Sequence, residues 1–457
     1  MSVSRKPSQA FLKLDVLIVG GGIGGLATAN ALARVGHRVT VVEAVEVAGE
    51  IGAGIQLAAN VTRILIRWGL GPKLEEIAGL DNLKYISLYR YEDGMTLLHM
   101  PYGNEGEQRY GAPTYHVHRA DFYDMLYDLA KPYITFRPGS RVVSVDPLGP
   151  SVVLESGEKI SADIIIGADG IRSVVRDIVL GGSQQAKYTG DSAYRFLIPT
   201  EDMLLDPDLR PLVENASVSV WTGPQKHLVG YGIRGKSTYN VVACVEDGDE
   251  KATYSWTAKS DTNGLRTQFA GWEPRIGKLL ALIRSPYILK YKLMDCAPLT
   301  SWVHQQGRVA LVGDACHPML PYRAQGAAMA VEDAECLGVL FSHITNLNQI
   351  PSLLKAYEDI RYERATTTQR LSTENRETYH LPDGPEQQAR DSRLQLRMKA
   401  HAAVANGEFI SSENRSIVER GMRSRQQEDD LQYGYDISLT TERWWQENGT
   451  STLQDKN

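Results

Sequence analysis

The chain has 457 residues, of which 42% are hydrophobic and 23% charged, so it is long enough for two or three domains with a sizeable core. Its formal net charge of −6 gives no sign of a basic surface for nucleic acid or for an acidic membrane. No apolar run approaches the roughly 18 residues that span a bilayer, and the polar N-terminus lacks the apolar core of a signal peptide. We therefore expect a cytoplasmic protein without a transmembrane segment, as a monomer or a homodimer.

The four cysteines, Cys244, Cys296, Cys316 and Cys336, show neither a C-x-x-C motif nor the spacing of metal ligands. Reduced, buried thiols are the expected state of such cysteines in an intracellular protein. We predict no metal site.

The first elements of the chain predict a strand, a helix and a second strand. Residues 14–19 form a short apolar run typical of a parallel strand buried on both faces. Residues 26–35 have helical composition, and residues 37–44 read as the second strand.

The turn after the first strand carries the pattern G-x-G-x-x-G at Gly20, Gly22 and Gly25, and Glu43 follows 18 residues after the last glycine. The first glycine allows a tight turn, the second lets a pyrophosphate approach the backbone, and the third lets helix and strand pack closely. Glu43 stands where a carboxylate accepts hydrogen bonds from a ribose. The pattern predicts a dinucleotide site without choosing between FAD and NAD.

Two further features are weaker signals of the same site. Residues 50–57 form a glycine-containing loop with Gly54, which indicates backbone lying against a flat ligand, although a plain loop is an equal alternative. Arg119 precedes a predicted helix at residues 122–130. Taken alone, this arginine indicates a surface ion pair, and pairing with a phosphate or holding a cofactor edge is the alternative.

Two later strands also end in an acid on a glycine turn. Residues 141–166 alternate apolar and polar side chains, which predicts a β-hairpin or meander, and the run ends at Asp169. Residues 309–312 form an apolar run followed by Asp314, and a helix is predicted from Gly326. Three such strand ends fit one extended dinucleotide lying across the carboxyl edge of a sheet.

The middle of the chain changes character. Strand-like runs at residues 216–221, 227–234 and 238–245 predict an antiparallel sheet that is inserted into the α/β domain and roofs a pocket. Residues 327–375 read as mostly helical. Residues 381–457 read as charged helices and loops with a polar, disordered tail.

Taken together, these motifs resemble the single-component, class A FAD-dependent aromatic monooxygenases, most closely the salicylate-hydroxylase-like group. The resemblance covers residues 14–436 and rests on three ordered motifs. These are Gly20, Gly22, Gly25 and Glu43; Asp169, Gly170, Ser173 and Arg176; and Gly313, Asp314, His317 and Pro318, continued through residues 320–326. Residues 52–56, Arg119 and residues 379–385 also match this group.

The resemblance implies an α/β fold of the p-hydroxybenzoate-hydroxylase type. It combines a Rossmann-type FAD-binding domain with an inserted antiparallel β-sheet substrate domain and a helical C-terminal region. We expect the FAD-binding domain at residues 13–180 and 291–375, the substrate domain at residues 181–290, and the C-terminal region at residues 376–457.

The resemblance also assigns roles to individual residues. Glu43 is expected to bind the adenosine ribose, Arg119 to lie along the pyrophosphate and ribityl region, and Asp314 to bind the ribityl chain. Asp169 is expected to serve both FAD and a transient NADH or NADPH. The complete implied cofactor set is Gly20, Gly22, Gly25, Glu43, Gly54, Arg119, Asp169, Asp314, Gly326 and Ala327.

The implied reaction begins with reduction of FAD by NAD(P)H, after which O2 gives a C4a-hydroperoxyflavin that delivers one oxygen atom to an electron-rich aromatic small molecule. Aromatic catabolism or secondary metabolism is the expected setting. Two alternatives remain open: epoxidation of an indole or alkene, and a flavin oxidase or dehydrogenase that inserts no oxygen. The product's oxygen content and structure distinguish these three.

Arg195 and Tyr231 are the candidate catalytic residues. Arg195 is placed to orient a substrate anion or donate a proton, with a structural ion pair as the alternative, and Tyr231 is placed to point into the same pocket, with core packing as its alternative. His317 is expected to be held by its turn. The chain departs from the group at Ala59 and Gly232, where a proline is common, and the second departure puts a salicylate-type substrate in question.

Overall fold

The computed structural model describes residues 8–46, 53–79, 83–247, 259–405 and 427–454. Its strands are β1 (Asp15–Val19), β2 (Arg38–Val42), β3 (Gly54–Leu57), β4 (Tyr85–Arg90), β5 (Thr96–Pro101), β6 (Tyr115–His118), β7 (Ile134–Arg137), β8 (Val142–Asp146), β9 (Ser151–Leu154), β10 (Lys159–Ser161), β11 (Ile164–Gly167), β12 (Lys187–Pro199), β13 (Ser217–Gly223), β14 (Lys226–Ile233), β15 (Thr238–Glu246), β16 (Lys259–Asp261), β17 (Tyr287–Asp295) and β18 (Val309–Leu311).

Its helices are α1 (Ile23–Arg34), α2 (Ala59–Arg67), α3 (Gly71–Ala78), α4 (Gly103–Tyr110), α5 (Arg119–Ala130), α6 (Val174–Leu180), α7 (Thr200–Leu204), α8 (Arg210–Glu214), α9 (Thr262–Gln268), α10 (Pro274–Ala281), α11 (Gly326–Phe341), α12 (Ile350–Tyr379) and α13 (Pro385–Ala405), followed by the C-terminal helix Ile437–Gln454.

A five-stranded parallel sheet in the order β18-β11-β1-β2-β7 forms the first layer. Three of its five strands, β1, β11 and β18, are almost completely buried. Burial on both faces explains why their sequences are nearly uninterrupted apolar runs. Helix α1 packs against α11 and α5. The strand–helix–strand unit predicted at residues 14–44 is confirmed, and the turns after β18, β11, β1 and β2 all open at the same carboxyl edge.

Residues 141–166 form the predicted meander. Strands β8, β9 and β10 pair antiparallel in a separate three-stranded sheet. Strand β11 then joins the parallel sheet beside β1.

The second large sheet has eight strands in the order β16-β17-β12-β15-β14-β13-β4-β5. The prediction of an antiparallel sheet from the middle third is confirmed for β13, β14 and β15, but it was incomplete. Strands β4 and β5 come from residues 85–101, and β4 pairs with β13 in parallel, from Tyr85 opposite Ser217 to Arg90 opposite Thr222. The domain boundaries at residues 180 and 290 stay a prediction.

Long helices follow the parallel sheet, as predicted. Helix α12 has 30 residues and packs against α11 and the C-terminal helix, whereas α13 packs against β5 at the edge of the eight-stranded sheet. The C-terminal helix continues to Gln454, so of the tail predicted to be disordered only residues 455–457 follow the helix. These residues lie outside the described residues, as do residues 406–426.

All four cysteines are buried and unpaired with one another, as the sequence predicts. In the part of the chain that the structure describes, no helix combines the length and apolarity needed to cross a membrane.

Candidate active site

A cavity of about 1660 Å³ lies between the carboxyl edge of the parallel sheet and one face of the eight-stranded sheet. It brings together most of the residues singled out in the sequence. Those that line it are Gly22, Glu43, Gly54, Arg119, Asp169, Arg195, Tyr231, Asp314, Gly326 and Ala327.

The three motif glycines serve different purposes at this edge. Gly20 has a φ of +105°, and a Cβ there would lie 2.3 Å from the Ala168 carbonyl oxygen. A Cβ at Gly25 would lie 2.0 Å from the Gly20 carbonyl oxygen. A Cβ at Gly22 would meet no protein atom within 4 Å, so Gly20 and Gly25 allow close packing of the turn, whereas Gly22 leaves space in the cavity.

Glu43 stands directly after β2 and is anchored by backbone. Its carboxylate accepts hydrogen bonds from the Gly21 N–H at 2.7 Å and the Val45 N–H at 2.9 Å. A carboxylate offers about four acceptor positions, so Glu43 retains capacity to bind ligand hydroxyls at the cavity wall.

Arg176 connects the turn that carries Asp169 with the turn that carries Asp314. This fully buried side chain donates from Nε to the Ala315 carbonyl oxygen at 2.7 Å, and from Nη2 to the carbonyl oxygens of Asp314 at 2.9 Å and Gly170 at 3.2 Å. In the sequence, Arg176 stood out only as the last residue of the motif that begins at Asp169. The structure shows that it fixes the spacing between the turns of Asp169 and Asp314.

The carboxyl groups of these two acids line the cavity, where Asp169 is half-buried and Asp314 is exposed. Desolvation by the surrounding protein raises the pKa of Asp314, although His317, Arg119 and Arg176 oppose the effect. Burial likewise raises the pKa of Asp169, which accepts hydrogen bonds from the Ser173 hydroxyl and, at 2.7 Å, from the Val174 N–H. Both carboxyl groups are therefore suited to hydrogen-bond hydroxyl groups of a bound ligand.

Asp333, on α11, holds the Gly313–Asp314 turn. It accepts hydrogen bonds from the Gly313 N–H at 3.0 Å, from His317 Nε2 at 2.6 Å and from Arg361 Nε at 2.9 Å. Burial alone would lower the pKa of His317, but Cys316 and Asp333 outweigh it and raise the pKa well above 6.5. His317 is thus held in a buried ion pair, in agreement with the expectation that its turn holds it.

Cys316, His317 and Asp333 offer possible metal-ligand atoms within 4.8 Å of one another. The Asp333 oxygens are already engaged by His317 and by the Arg361 guanidinium, all with side chains that are fully buried. This arrangement is that of a buried ion-pair network, and we assign no metal to it.

Arg195 and Tyr231 both reach the cavity from the eight-stranded sheet. The Arg195 guanidinium carbon lies 5.1 Å from the centre of the Tyr291 ring, a cation–π distance. Burial raises the pKa of Tyr231, and the nearby charge of Arg195 partly opposes this. The two predicted catalytic residues therefore line the same part of the cavity, where the charge of Arg195 acts on Tyr231.

The absence of a side chain at Gly54 leaves space for the side chains of Asn240 and Tyr231. The Gly54 N–H donates to Asn240 Oδ1 at 2.6 Å, and a Cβ there would lie 2.7 Å from both Asn240 Cγ and Tyr231 Cε2. For residues 50–57 the sequence left a ligand-facing loop and a plain loop as equal alternatives. Part of that loop, residues 50–52, lies outside the described residues, and Gly54 itself packs beside Tyr231.

A histidine pair at the cavity wall was missed in the sequence. His227 Nδ1 lies 2.8 Å from His380 Nε2, and His227 lines the cavity. Burial lowers the pKa of His380 to about 4 and that of His227 well below 6.5, so both rings are neutral at neutral pH. His227 precedes Tyr231 by four residues on β14, and the two-residue period of a strand could have placed both on one face.

The pair is supported by a buried acid. Asp191 accepts hydrogen bonds from Arg376 Nε at 2.6 Å and from the Tyr322 hydroxyl at 2.5 Å, and it lies 3.8 Å from His380 Nδ1. The carboxylate favours a His380 tautomer with hydrogen on Nδ1. His227 then donates through Nδ1, which leaves its Nε2 as an acceptor.

Two helices begin at the cavity with features that suit an anionic or polar ligand. Helix α1, which follows Gly22, and α11, which begins at Gly326, both lack a side-chain cap and have no acid in the first turn. Helix N-termini carry unpaired N–H groups and a partial positive charge. Together with the open space at Gly22 and the acids at three strand ends, these features fit FAD. The fold and site thus define a dinucleotide-binding flavoenzyme.

The chain belongs to the FAD binding domain family, whose family model matches residues 13–372, and it is an FAD-dependent monooxygenase. The FAD-dependent monooxygenase OpS4 of Beauveria bassiana is 36% identical over 400 residues, which cover 86% of this chain and 92% of that protein. The 3-amino-4-hydroxybenzoate 2-monooxygenase PtmB3 of Streptomyces platensis is 34% identical over 380 residues, which cover 82% and 91%.

A solved structure described as a salicylate hydroxylase substrate complex aligns with a TM-score of 0.74 at 24% identity, covering 94% of this chain and 97% of that one. At this identity the likeness shows the fold alone. The family and the fold confirm the resemblance to class A FAD-dependent aromatic monooxygenases of the salicylate-hydroxylase-like group.

Proposed function

We propose that this enzyme uses NADH or NADPH to insert one atom of O2 into an electron-rich aromatic small molecule. One observation carries the proposal: a single cavity runs from the predicted FAD turns to the polar cluster of Arg195, Tyr231 and His227. A relative named for a 2-monooxygenase acting on 3-amino-4-hydroxybenzoate supports an aromatic substrate with a ring hydroxyl.

Bound FAD would supply the oxygen-activating redox chemistry. The protein's part in cofactor binding is assigned to the residues whose positions surround the carboxyl edge. We propose Glu43 for the ribose, Asp314 for the ribityl chain, Arg119 for the pyrophosphate region, and Asp169 for the FAD edge and the nicotinamide coenzyme. The remaining proposed cofactor residues are Gly20, Gly22, Gly25, Gly54, Gly326 and Ala327.

On the substrate side, Arg195 would orient an oxygen of the substrate through its charge, and the Tyr231 hydroxyl would hydrogen-bond the same group. His227 would accept the proton of a ring hydroxyl through Nε2. A phenol becomes far more acidic when its ring is attacked by an electrophile, so a weakly basic, neutral imidazole is sufficient for this step. The surrounding buried walls would exclude water from the reacting atoms.

Mass spectrometry of products formed under ¹⁸O2 tests the proposal. The purified enzyme, FAD and NADH or NADPH would be incubated with phenols, hydroxybenzoates, indoles and alkenes. One ¹⁸O on an aromatic carbon is the expected result. An epoxide-derived product would instead identify the epoxidation alternative, and coenzyme oxidation that gives only H2O2 with every compound would contradict monooxygenation.

A further inference from the structure

The cavity face of the eight-stranded sheet carries most of its polar side chains in one half. This half, on β17, β12, β15 and β14, presents Tyr291, Arg195, His227 and Tyr231 among apolar neighbours that include Val229 and Val242. The other half, on β13, β4 and β5, presents apolar side chains to the cavity, except for Thr222 near the end of β13 and apart from Pro101 at the end of β5. Six of these side chains lie within the strands: Ile86, Leu88, Leu98, Met100, Val218 and Val220.

Helix α13 covers the apolar half. It packs against β5, and its Leu394 and Met398 join the apolar cluster formed by β4, β5 and β13. Arg390, Leu394 and Arg397 line the cavity at the spacing of one helix face. Arg390 donates to the Thr378 carbonyl oxygen at 2.7 Å and to Asp391 at 2.9 Å, so its charge is compensated. We call the space between α13 and the six aliphatic side chains the aliphatic chamber.

The aliphatic chamber is too extended to serve a single aromatic ring. From β14, which carries His227 and Tyr231, to β5 there are three inter-strand steps in the sheet order, or about 14 Å at roughly 4.8 Å per step. A ring that contacts the polar cluster therefore leaves the chamber unfilled. An apolar cavity wall gains stability only when an apolar group displaces water from it.

We propose that the substrate is a hydroxylated aromatic with an aliphatic extension, such as an alkyl or prenyl-like chain, whose ring lies at Arg195, Tyr231 and His227 and whose extension fills the aliphatic chamber. The ring's placement rests on the proposed function. The placement of the extension rests on the side chains of β4, β5, β13 and α13.

Isothermal titration calorimetry of the FAD-saturated enzyme tests this with phenol, 4-methylphenol, 4-propylphenol and 4-pentylphenol. We expect affinity to rise along the series by up to about four-fold per methylene, which is the effect of burying one CH2 group. An affinity that does not increase with chain length, including the absence of binding by every member, would overturn the proposal.

Variants on α13 separate the chamber from general hydrophobic partitioning. Leu394→Gln retains helix propensity but places an amide in the chamber, and it should weaken 4-pentylphenol binding by about ten-fold. Binding of 4-methylphenol should stay within about two-fold. Leu394→Met, which keeps the side chain apolar and of similar size, should restore 4-pentylphenol binding.

Arg393→Gln is the matched control, because Arg393 is exposed on the same helix and should leave both affinities unchanged. Equal losses for Leu394→Gln and Arg393→Gln would also overturn the proposal. Because calorimetry does not require turnover, the outcome is independent of oxygen insertion. Affinity that rises with chain length, without ¹⁸O in any product, would support the aliphatic chamber and contradict the proposed reaction. Labelled product with an affinity that does not depend on chain length would support the reaction and contradict the chamber.

Discussion

Gly22 and Gly25 lie three residues apart, and the absence of a side chain has a different effect at each position. Gly25 lies where a Cβ would collide with the Gly20 backbone, whereas a Cβ at Gly22 would extend into open cavity. The residue at position 22 has a φ of −72°, which any L-residue adopts. Gly22 is therefore dispensable for folding and matters only for what the cavity holds.

We predict that Gly22→Ala leaves the thermal unfolding of the FAD-free protein nearly unchanged but weakens FAD binding by about ten-fold or more, because the added methyl group would occupy the place that we propose for the pyrophosphate. Fluorescence titration with FAD measures the affinity. Gly264→Ala, at another position with no atom within 4 Å of an added Cβ, should change neither property. Undiminished FAD affinity in Gly22→Ala would place the pyrophosphate elsewhere.

Arg195 is the residue whose removal should separate coenzyme consumption from product formation. Its guanidinium lies over Tyr291 and next to Tyr231, so we expect Arg195→Ala to misplace the substrate ring and raise the fraction of NAD(P)H oxidised without product. The ratio of H2O2 to hydroxylated product measures this fraction. Arg284→Ala, at an exposed ion pair with Asp202, is the control. An unchanged ratio in Arg195→Ala would remove Arg195 from the reaction.

At the scale of elements, helices α11 and α12 are joined by a buried charge network. Arg361 of α12 contacts Glu332 Oε2 at 2.6 Å and Asp333 Oδ1 at 2.9 Å, and none of these side chains is exposed. Burial would raise the pKa of Asp333, but His317 and Arg361 lower it. The network therefore ties the helices to the turn that carries Asp314.

Replacing Arg361 with Met should destabilise the protein by about 3–5 kcal/mol, because it removes the buried cation that Glu332 and Asp333 share and leaves Arg364 as the ion-pair partner of Glu332 and His317 as that of Asp333. Urea unfolding measures the change. Lys355→Met is the comparison on the same helix, since Lys355 is 61% exposed and its ion pairs contribute little. A loss for Arg361→Met no larger than for Lys355→Met would show that the network does not hold α11 and α12 together.

The same network predicts a pH effect on stability. The pKa of His317 in the folded protein lies well above 6.5, so its contribution to stability is complete below pH 6.5 and is lost as the pH rises through the folded-state pKa. As the pH rises above 6.5, the wild type should lose stability relative to His317→Gln, by at most about 1.4 kcal/mol per pH unit until the folded-state pKa is passed. Parallel pH profiles of the free energy of unfolding would contradict the ion pair.

Local patterns in the sequence predicted the parallel sheet well. Strands β1, β11 and β18 are short apolar runs followed by glycine or acid, and their carboxyl ends meet as the pattern requires. The alternating runs of β13, β14 and β15 likewise predicted the second sheet.

The rest depended on contacts between distant parts of the chain. The pairing of β4 with β13 joins residues about 130 positions apart. The amino-acid composition of either strand does not indicate with which other strand it pairs. The same holds for His227 with His380 and for Asp191 with Arg376. The end of the cavity that we propose for the substrate, including the cover by α13, is built from such pairs and was therefore visible only in the structure.

We propose that FAD and an aromatic substrate share this cavity and that a nicotinamide coenzyme reduces the flavin there. Anaerobic stopped-flow reduction of the FAD-bound enzyme by NADH and by NADPH, with and without the phenol series, tests it most directly. We predict that one coenzyme reduces the flavin and that 4-pentylphenol accelerates the reduction more than phenol does. A flavin that neither coenzyme reduces, whatever phenol is present, would contradict the account.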